Sequence, residues 1–488
     1  MTAAPKTVDL IIRGGTVIDG TKAPRFEADV AIQDGRIAAI GDLAGYQSRE
    51  VIDANGQIVA PGFIDSHTHD DQAVLSQADM SFKISQGVTT VIAGNCGISV
   101  APLRPDMELP APLNLLEAPA GSRFTTFKAF LDALRATPSS VNVAAMVGHT
   151  TLRAVTMSAL DRPANEQEID AMQALVREAL AAGAIGMSTG TFYPPAVAAT
   201  TEEIIEVGRP LTERKALYVT HMRDEADRVM ESLEETFRIG RELGVAVVVS
   251  HHKVQNKRNF GRSQVTLPFI REAMRHQCIG LDCYPYNAGS TMIRTDRGML
   301  EGKVLIASSA PHPECAGRDL DDIAREWGVA KDQAARRLQP GSAIYFLMDE
   351  HDVQRILAFD ETMIGSDGIP VGEKPHPRLW GTFPRVLGHY SRDVGLFPLE
   401  TAVWKMTGLT AKNFGLQGRG TLKAGHYADL VVFDAARIRD AASYENPTVP
   451  AEGIVAVIVN GAVTWRGGRH SGARSGQVVT RTVKETTA

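Results

Sequence analysis

At 488 residues the chain exceeds one small core, and 44% apolar with 22% charged residues is an ordinary globular composition, so one large domain plus an accessory unit is expected. Lys+Arg 51 against Asp+Glu 57 gives a net charge of −6, which provides no basic stripe for nucleic acid or an anionic membrane. No apolar run approaches the roughly 18 residues of a membrane span, the opening MTAAPKTVDLIIRGG lacks a signal-like apolar region, and Cys96, Cys278, Cys283 and Cys315 read as reduced thiols of a cytoplasmic protein.

From Val8 to about Ala60, strand-like pieces at Asp9 to Arg13, Asp29 to Gln33, Arg36 to Ile40 and Gln57 to Ala60 are punctuated by Gly14-Gly15, Asp34-Gly35 and Asn55-Gly56. The texture returns in Asp429 to Phe433 and Val455 to Asn460, with Asn460-Gly461 as a turn. Each piece is too small to close a core, so residues 1–60 and 416–480 are expected to form one small β-sandwich.

Between them, eight apolar, β-rich runs alternate with amphipathic segments: Phe63 to His69, Val88 to Gly97, Val141 to His149, Ala184 to Thr191, Ala216 to Met222, Val245 to His252, Ile279 to Tyr286 and Met363 to Gly368. Helices are expected at Asn165 to Ala182, Thr201 to Arg214, Asp227 to Leu243 and Thr266 to His276. This predicts an α/β fold, a (β/α)8 TIM barrel over residues 61–415, with catalytic groups at the strand ends. The long gap between the seventh and eighth runs, about 287–350, reads as an insertion over the site, with a further helix at Asp321 to Leu338.

His67 and His69 close the first run, and the period-2 geometry of a strand points both imidazoles into the barrel mouth. Four other strand ends add Cys96, His221, His251 and Asp367. Singly, a cysteine is usually a small core residue, a histidine a satisfied polar group and an aspartate before glycine a turn former. Register favours a metal site instead, because a barrel gathers strand ends around one axis. Thiolate with imidazoles favours Zn²⁺ over Mg²⁺ or Ca²⁺, and zinc acidifies water and polarises a carbonyl, the two needs of amide hydrolysis. Asp367 would then be the proton shuttle.

IIRGGTVIDG, IDANGQIVAPGFIDSHTH, GTLKAGHYADLVVFD and VIVNGAVTWRGGR resemble the amidohydrolase superfamily from end to end. GVTTVIAGNCGIS, YVTHMRDE, VVSHHK, DCYPYNAGST and IGSDG resemble its N-acyl-D-amino-acid deacylases, the D-aminoacylase group. The resemblance implies a tight zinc on Cys96, His221 and His251, with His67, His69 and Asp367 bordering a second, weaker metal position. It also implies that Lys253, Tyr284, Ser290 and Arg378 contact a small-molecule N-acyl-D-amino acid. The chemistry agrees: Lys253 and Arg378 suit an α-carboxylate, and Tyr284 can donate to a developing oxyanion. Arg294 stands where relatives acting on hydrophobic D-amino acids carry apolar residues, so N-acyl-D-glutamate is the expected substrate, with N-acyl-D-aspartate second. A surface Arg294 paired with Asp296 is the plainer alternative. Other readings are a deacylase for hydrophobic D-amino acids, a cyclic-amide hydrolase, disfavoured because AIGMSTGTF lacks the bridging lysine, and a non-catalytic assembly protein, disfavoured because every ligand position is filled. Oligomeric state is not legible from the sequence.

Overall fold

Strand texture at the two chain ends resolves into one sheet. The computed structural model describes residues 6–116 and 123–482; residues 1–5 of the expected terminal segment and 117–122 of the expected barrel segment lie outside them. The N-terminal strands are Lys6–Val17, Phe26–Gln33, Arg36–Gly41, Tyr46–Asp53 and Ile58–Pro61, and the C-terminal ones Leu430–Phe433, Ile454–Val459, Ala462–Arg466 and Arg469–His470. Tyr46–Asp53 was not expected, because its mostly exposed polar side chains hide the alternation. Ile58–Pro61 runs parallel to Lys6–Val17 and antiparallel to Leu430–Phe433, so both ends join edge to edge in nine strands. Leu10, Ile12, Val30 and Ile32 share one buried core with Leu430, Val432, Ala456 and Ile458. Either piece alone would bare a strand edge and half a core. Asp34-Gly35 and Asn460-Gly461 turn hairpins with φ of 51° and 73°, and of 47° and 83°, the left-handed pair a type I′ turn requires.

Between these ends lie eight parallel barrel strands. The first is Phe63–Asp65, the second Val88–Ala93, and the third is split into Asn142–Ala145 and Val147–Gly148. The rest are Gly186–Gly190, Leu217–His221, Val247–Val249, Ile279–Cys283 and Thr362–Ile364. The ladder is not one continuous ring. The first half of strand three pairs with strand two and its second half with strand four, dividing a three-stranded from a six-stranded sheet. Strands eight and one are joined past their ends, where Ser66 N donates to Ile364 O at 3.3 Å and Asp367 N to His67 O at 2.8 Å. Ile64, Ile92, Ala144, Leu217, Val219, Val248 and Met363 fill the interior and pack against Leu409 and Phe414.

The helices at Glu166–Ala182, Thr201–Arg214, Val229–Leu243 and Ser263–Ala273 lie within a few residues of expectation. Asn165 starts the first of these as half of a capping box: its side chain accepts from Glu168 N, and the Glu168 carboxylate accepts from Asn165 N, each at 2.9 Å. Asn165→Ala is expected to lower stability by about 1 kcal/mol in urea unfolding, with turnover unchanged. A midpoint equal to the parent's would show that the cap does not set this helix.

The insertion is a three-stranded antiparallel sheet of Gly289–Met292, Gly341–Tyr345 and Val304–Ser309, with two short helices, Leu320–Glu326 and Lys331–Arg337. A single helix from Asp321 to Leu338 does not form. Gly328 adopts φ 61° and breaks it, and the two halves fold back to bury Leu320, Ile323, Ala334 and Leu338 in one cluster. No helix among the described residues is long and apolar enough to cross a membrane.

Candidate metal centre and active site

The donors sit where the strands stop being strands. The ladder ends at Asp65, Ala93, Val249 and Ile364, each two or more residues before His67, Cys96, His251 and Asp367, whereas His221 is the last residue of its strand. The expected strands were longer, and the difference lies in the backbone. Cys96, His251 and Asp367 have φ of 54°, 33° and 48°, a region few non-glycine residues adopt. Leaving the ladder turns their side chains across the barrel mouth, and such strain persists only where neighbours hold it. Here Asp282 Oδ1 accepts from His251 N at 2.8 Å, and His67 O accepts from Asp367 N.

All six expected donors come together, in two groups that share Cys96. One group is Cys96, His221 and His251; the other is His67, His69, Cys96 and Asp367, and within each the ligand atoms lie inside 4.8 Å of one another. Cys96 Sγ is 3.3 Å from His67 Nε2, 3.6 Å from His221 Nδ1 and 3.4 Å from His251 Nε2. Asp367 Oδ1 is 3.2 Å from His69 Nε2 and 3.6 Å from His67 Nε2. Every one of these side chains is buried. Burial alone would raise the Cys96 thiol, but the imidazoles of His67 and His251 hold it well below the ordinary thiol range. Burial also opposes ionisation of Asp367, and the Arg378 guanidinium with His251 and His69 overrides it, keeping a carboxylate. A thiolate, imidazoles and a carboxylate converging in a buried pocket fit zinc, and the set is too soft for Mg²⁺ or Ca²⁺.

Two buried carboxylates behind the donors were absent from the sequence reading. Asp282 Oδ1 lies 3.5 Å from His67 Nδ1, and Glu225 Oε1 lies 3.1 Å from His251 Nδ1. Both stand in segments singled out above, DCYPY and HMRDE. The usable signal was Glu225 at four residues past His221, and Asp282 at the end of a barrel strand. The fourth strand, Gly186–Gly190, carries no lysine, leaving Cys96 as the residue common to both donor groups.

A cavity opens over the donors, lined by His221, His251, Lys253, Tyr284, Ser290 and Asp367 together with the apolar Phe192, Met299, Leu347 and Met348. Lys253 Nζ meets Glu225 at 2.8 Å and His251 Nδ1 at 2.7 Å. Tyr284 is buried, and burial holds its phenol well above the usual range, so it remains a donor. Among the described residues, its hydroxyl has only Met348 Sδ, 3.9 Å away, as an acceptor. Arg378 lies beneath the cavity floor: it pairs with Asp367 Oδ2 at 2.9 Å, stacks 4.5 Å from the Tyr284 ring and donates to Ser290 O at 3.2 Å. Arg294 does not line the cavity. Its Nε pairs with Asp296 at 2.8 Å, its guanidinium stacks 4.5 Å from the Phe192 ring, and its Nη1 is buried without a hydrogen-bond partner among the described residues.

A sequence model described as the amidohydrolase family matches residues 50–269 and 328–465. The chain is 60% identical over 474 residues to a D-aminoacylase of Alcaligenes xylosoxydans xylosoxydans, covering 97% of this chain and 98% of that relative. It is 51% identical to an N-acyl-D-aspartate deacylase of the same organism, covering 98% and 96%. Among solved structures, that of an N-acyl-D-glutamate deacylase from Bordetella bronchiseptica, complexed with zinc and a phosphonate inhibitor that mimics the tetrahedral intermediate, matches with a TM-score of 0.94 at 45% identity. The match covers 97% of this chain and 100% of that one. With its donor cluster at the barrel mouth and this likeness along nearly its whole length, the chain belongs to the amidohydrolase family, in its D-aminoacylase group.

Proposed function

We propose that the chain hydrolyses N-acyl-D-amino acids to a carboxylate and a free D-amino acid. The observation that carries this is the meeting, in one cavity, of a Cys/His donor cluster, an ionised Asp367 and the cation Lys253, above Arg378. The activities of the relatives support it. Cys96, His221 and His251 would hold one tight zinc, with His67, His69 and Asp367 bordering a weaker position. Bound zinc supplies an acidified water and polarises the scissile carbonyl. Asp367 takes the proton that water gives up and passes it to the departing nitrogen as the C–N bond breaks. The Tyr284 hydroxyl donates to the oxygen that gains charge. Lys253 and Ser290, which line the cavity, would receive the α-carboxylate, and Arg378, buried against Asp367 and Ser290 O, adds positive charge beneath it. A screen of N-formyl and N-acetyl D- and L-amino acids for released amine tests the reading; release from D-substrates alone is expected, and faster release from L-substrates would overturn it.

The apolar lining of Phe192, Met299, Leu347 and Met348 favours an apolar substrate side chain, since the Arg294 guanidinium on the Phe192 ring already has Asp296. N-acyl-D-glutamate is the second reading, with N-acyl-D-aspartate after it, and its support is the unpartnered, buried Nη1 of Arg294. Arg294→Leu separates them. If the pocket selects apolar side chains, the parent prefers N-acyl-D-leucine and the variant keeps its kcat/KM within about threefold, under ~0.7 kcal/mol. If Arg294 meets an acidic side chain, the parent prefers N-acyl-D-glutamate and the variant loses at least about 10-fold on it.

A further inference from the structure

Glu225 occupies a position that the proposed chemistry does not use, yet it touches the metal side and the substrate side at once. The two strand-end histidines face the Cys96 sulfur through opposite ring nitrogens, His221 through Nδ1 and His251 through Nε2. A histidine that gives one nitrogen's lone pair to a metal carries its proton on the other, and a buried N–H requires an acceptor. The remaining nitrogens both face Glu225: His251 Nδ1 at 3.1 Å from Oε1, and His221 Nε2 at 3.7 Å from Oε2, where the carboxylate acts by charge. Lys253 Nζ also lies 2.7 Å from His251 Nδ1, and since two protonated nitrogens cannot share that contact, a protonated Nδ1 requires Lys253 to turn its hydrogens to its other acceptors, Glu225 at 2.8 Å and His251 O at 3.1 Å. The same carboxylate holds Lys253 Nζ at 2.8 Å and accepts from Gln255 Nε2 at 3.1 Å. It is buried, enclosed by Lys253, Gln255 and the two imidazoles.

We infer that Glu225 is a positioning residue that fixes which ring nitrogen His221 and His251 turn toward the metal and, through Lys253, ties the placement of the substrate's α-carboxylate to the same point. The inference rests on the zinc reading above. Its consequence is a paired phenotype: losing the carboxylate frees both rings to flip and leaves Lys253 without its anchor. A carboxylate that merely supported the loop after the fifth strand would change stability and leave zinc affinity alone.

The test is competition for zinc between the metal-stripped full-length protein and a chelator of known affinity. Glu225→Gln is expected to weaken zinc by about 10–100-fold, the usual cost of losing a histidine's outer partner, and to raise KM at saturating zinc. Glu225→Asp, which restores the charge, should recover part of both. Lys253→Met leaves the carboxylate on both rings, so its zinc affinity stays within a few-fold of the parent while KM rises. If Glu225→Gln does not fold because Lys253 is stranded, the Glu225→Gln, Lys253→Met double variant removes that charge and carries the same expectation for zinc. Parent-like zinc affinity in the Gln variants, or an equal loss in Lys253→Met alone, overturns the inference. A parent protein that retains no zinc would instead overturn the zinc reading.

Discussion

Cys96→Ala is expected to abolish both zinc retention and turnover. Cys96 is the residue common to the two donor groups, with three histidine nitrogens within 3.6 Å of its sulfur. Removing a direct ligand should weaken zinc by more than the ~100-fold that loss of an outer partner costs, and without zinc no acidified water is available. The competing account is that Cys96 is a small buried core residue, for which alanine is a tolerated replacement. The two accounts separate cleanly. A core role predicts a stability change near 1 kcal/mol with zinc content and kcat intact, whereas a ligand role predicts a folded protein with neither. The left-handed backbone at φ 54° persists in both cases, so the strain there does not confound the comparison. Full zinc content with normal turnover in this variant would sink the assignment.

Asp367→Asn is expected to lower kcat by at least about 100-fold, the lower range for losing a general acid/base, while the zinc on Cys96, His221 and His251 stays bound. Asparagine preserves the shape but cannot accept the water's proton, so the pH–rate profile should lose the limb this group contributes. The substitution also leaves Arg378, which lies 2.9 Å from Asp367 Oδ2, as a buried guanidinium without its carboxylate. A stability loss of about 3 kcal/mol therefore accompanies the kinetic effect, within the ordinary margin of about 5–15 kcal/mol. Rates are accordingly read on protein shown by circular dichroism to be folded, with zinc measured on the same sample. If Asp367 only forms the turn into Gly368, kcat and its pH profile stay near the parent's while stability alone falls.

Much of the candidate centre was legible because metal-ligand chemistry restricts residue types and barrel topology selects where they recur. His67, His69, Cys96, His221, His251 and Asp367 each close an apolar run, and their side chains do converge. The exact strand ends were not legible. A donor must leave the ladder to face the axis, and the left-handed turns at Cys96, His251 and Asp367 are taken by residues whose type does not announce them. The break in the expected helix at Asp321 to Leu338 was missed for the opposite reason: Gly328 was visible, but only the packing of Leu320 and Ile323 against Ala334 and Leu338 makes a fold-back more favourable than continuation.

By itself the sequence determined the texture of the fold and the residue types of the candidate donors. Both are local properties: hydrophobic period, turn pairs such as Asp34-Gly35, and the ligand type at each strand end are written within a few residues of one another. Tertiary structure alone decided which groups face which. Cys96 reaches His251 across 155 positions, Glu225 lies behind two rings that belong to different strands, and Arg378 turns to Asp367 beneath the cavity floor. Arg294 shows the same division. Its charge and its neighbour Asp296 were plain, but that its guanidinium stacks on the Phe192 ring with one nitrogen buried and unpartnered among the described residues follows from the insertion folding over the barrel mouth. Contacts of this kind depend on how the strand ends and the insertion pack together, which sums weak preferences over the whole chain and leaves no trace in any single stretch of it.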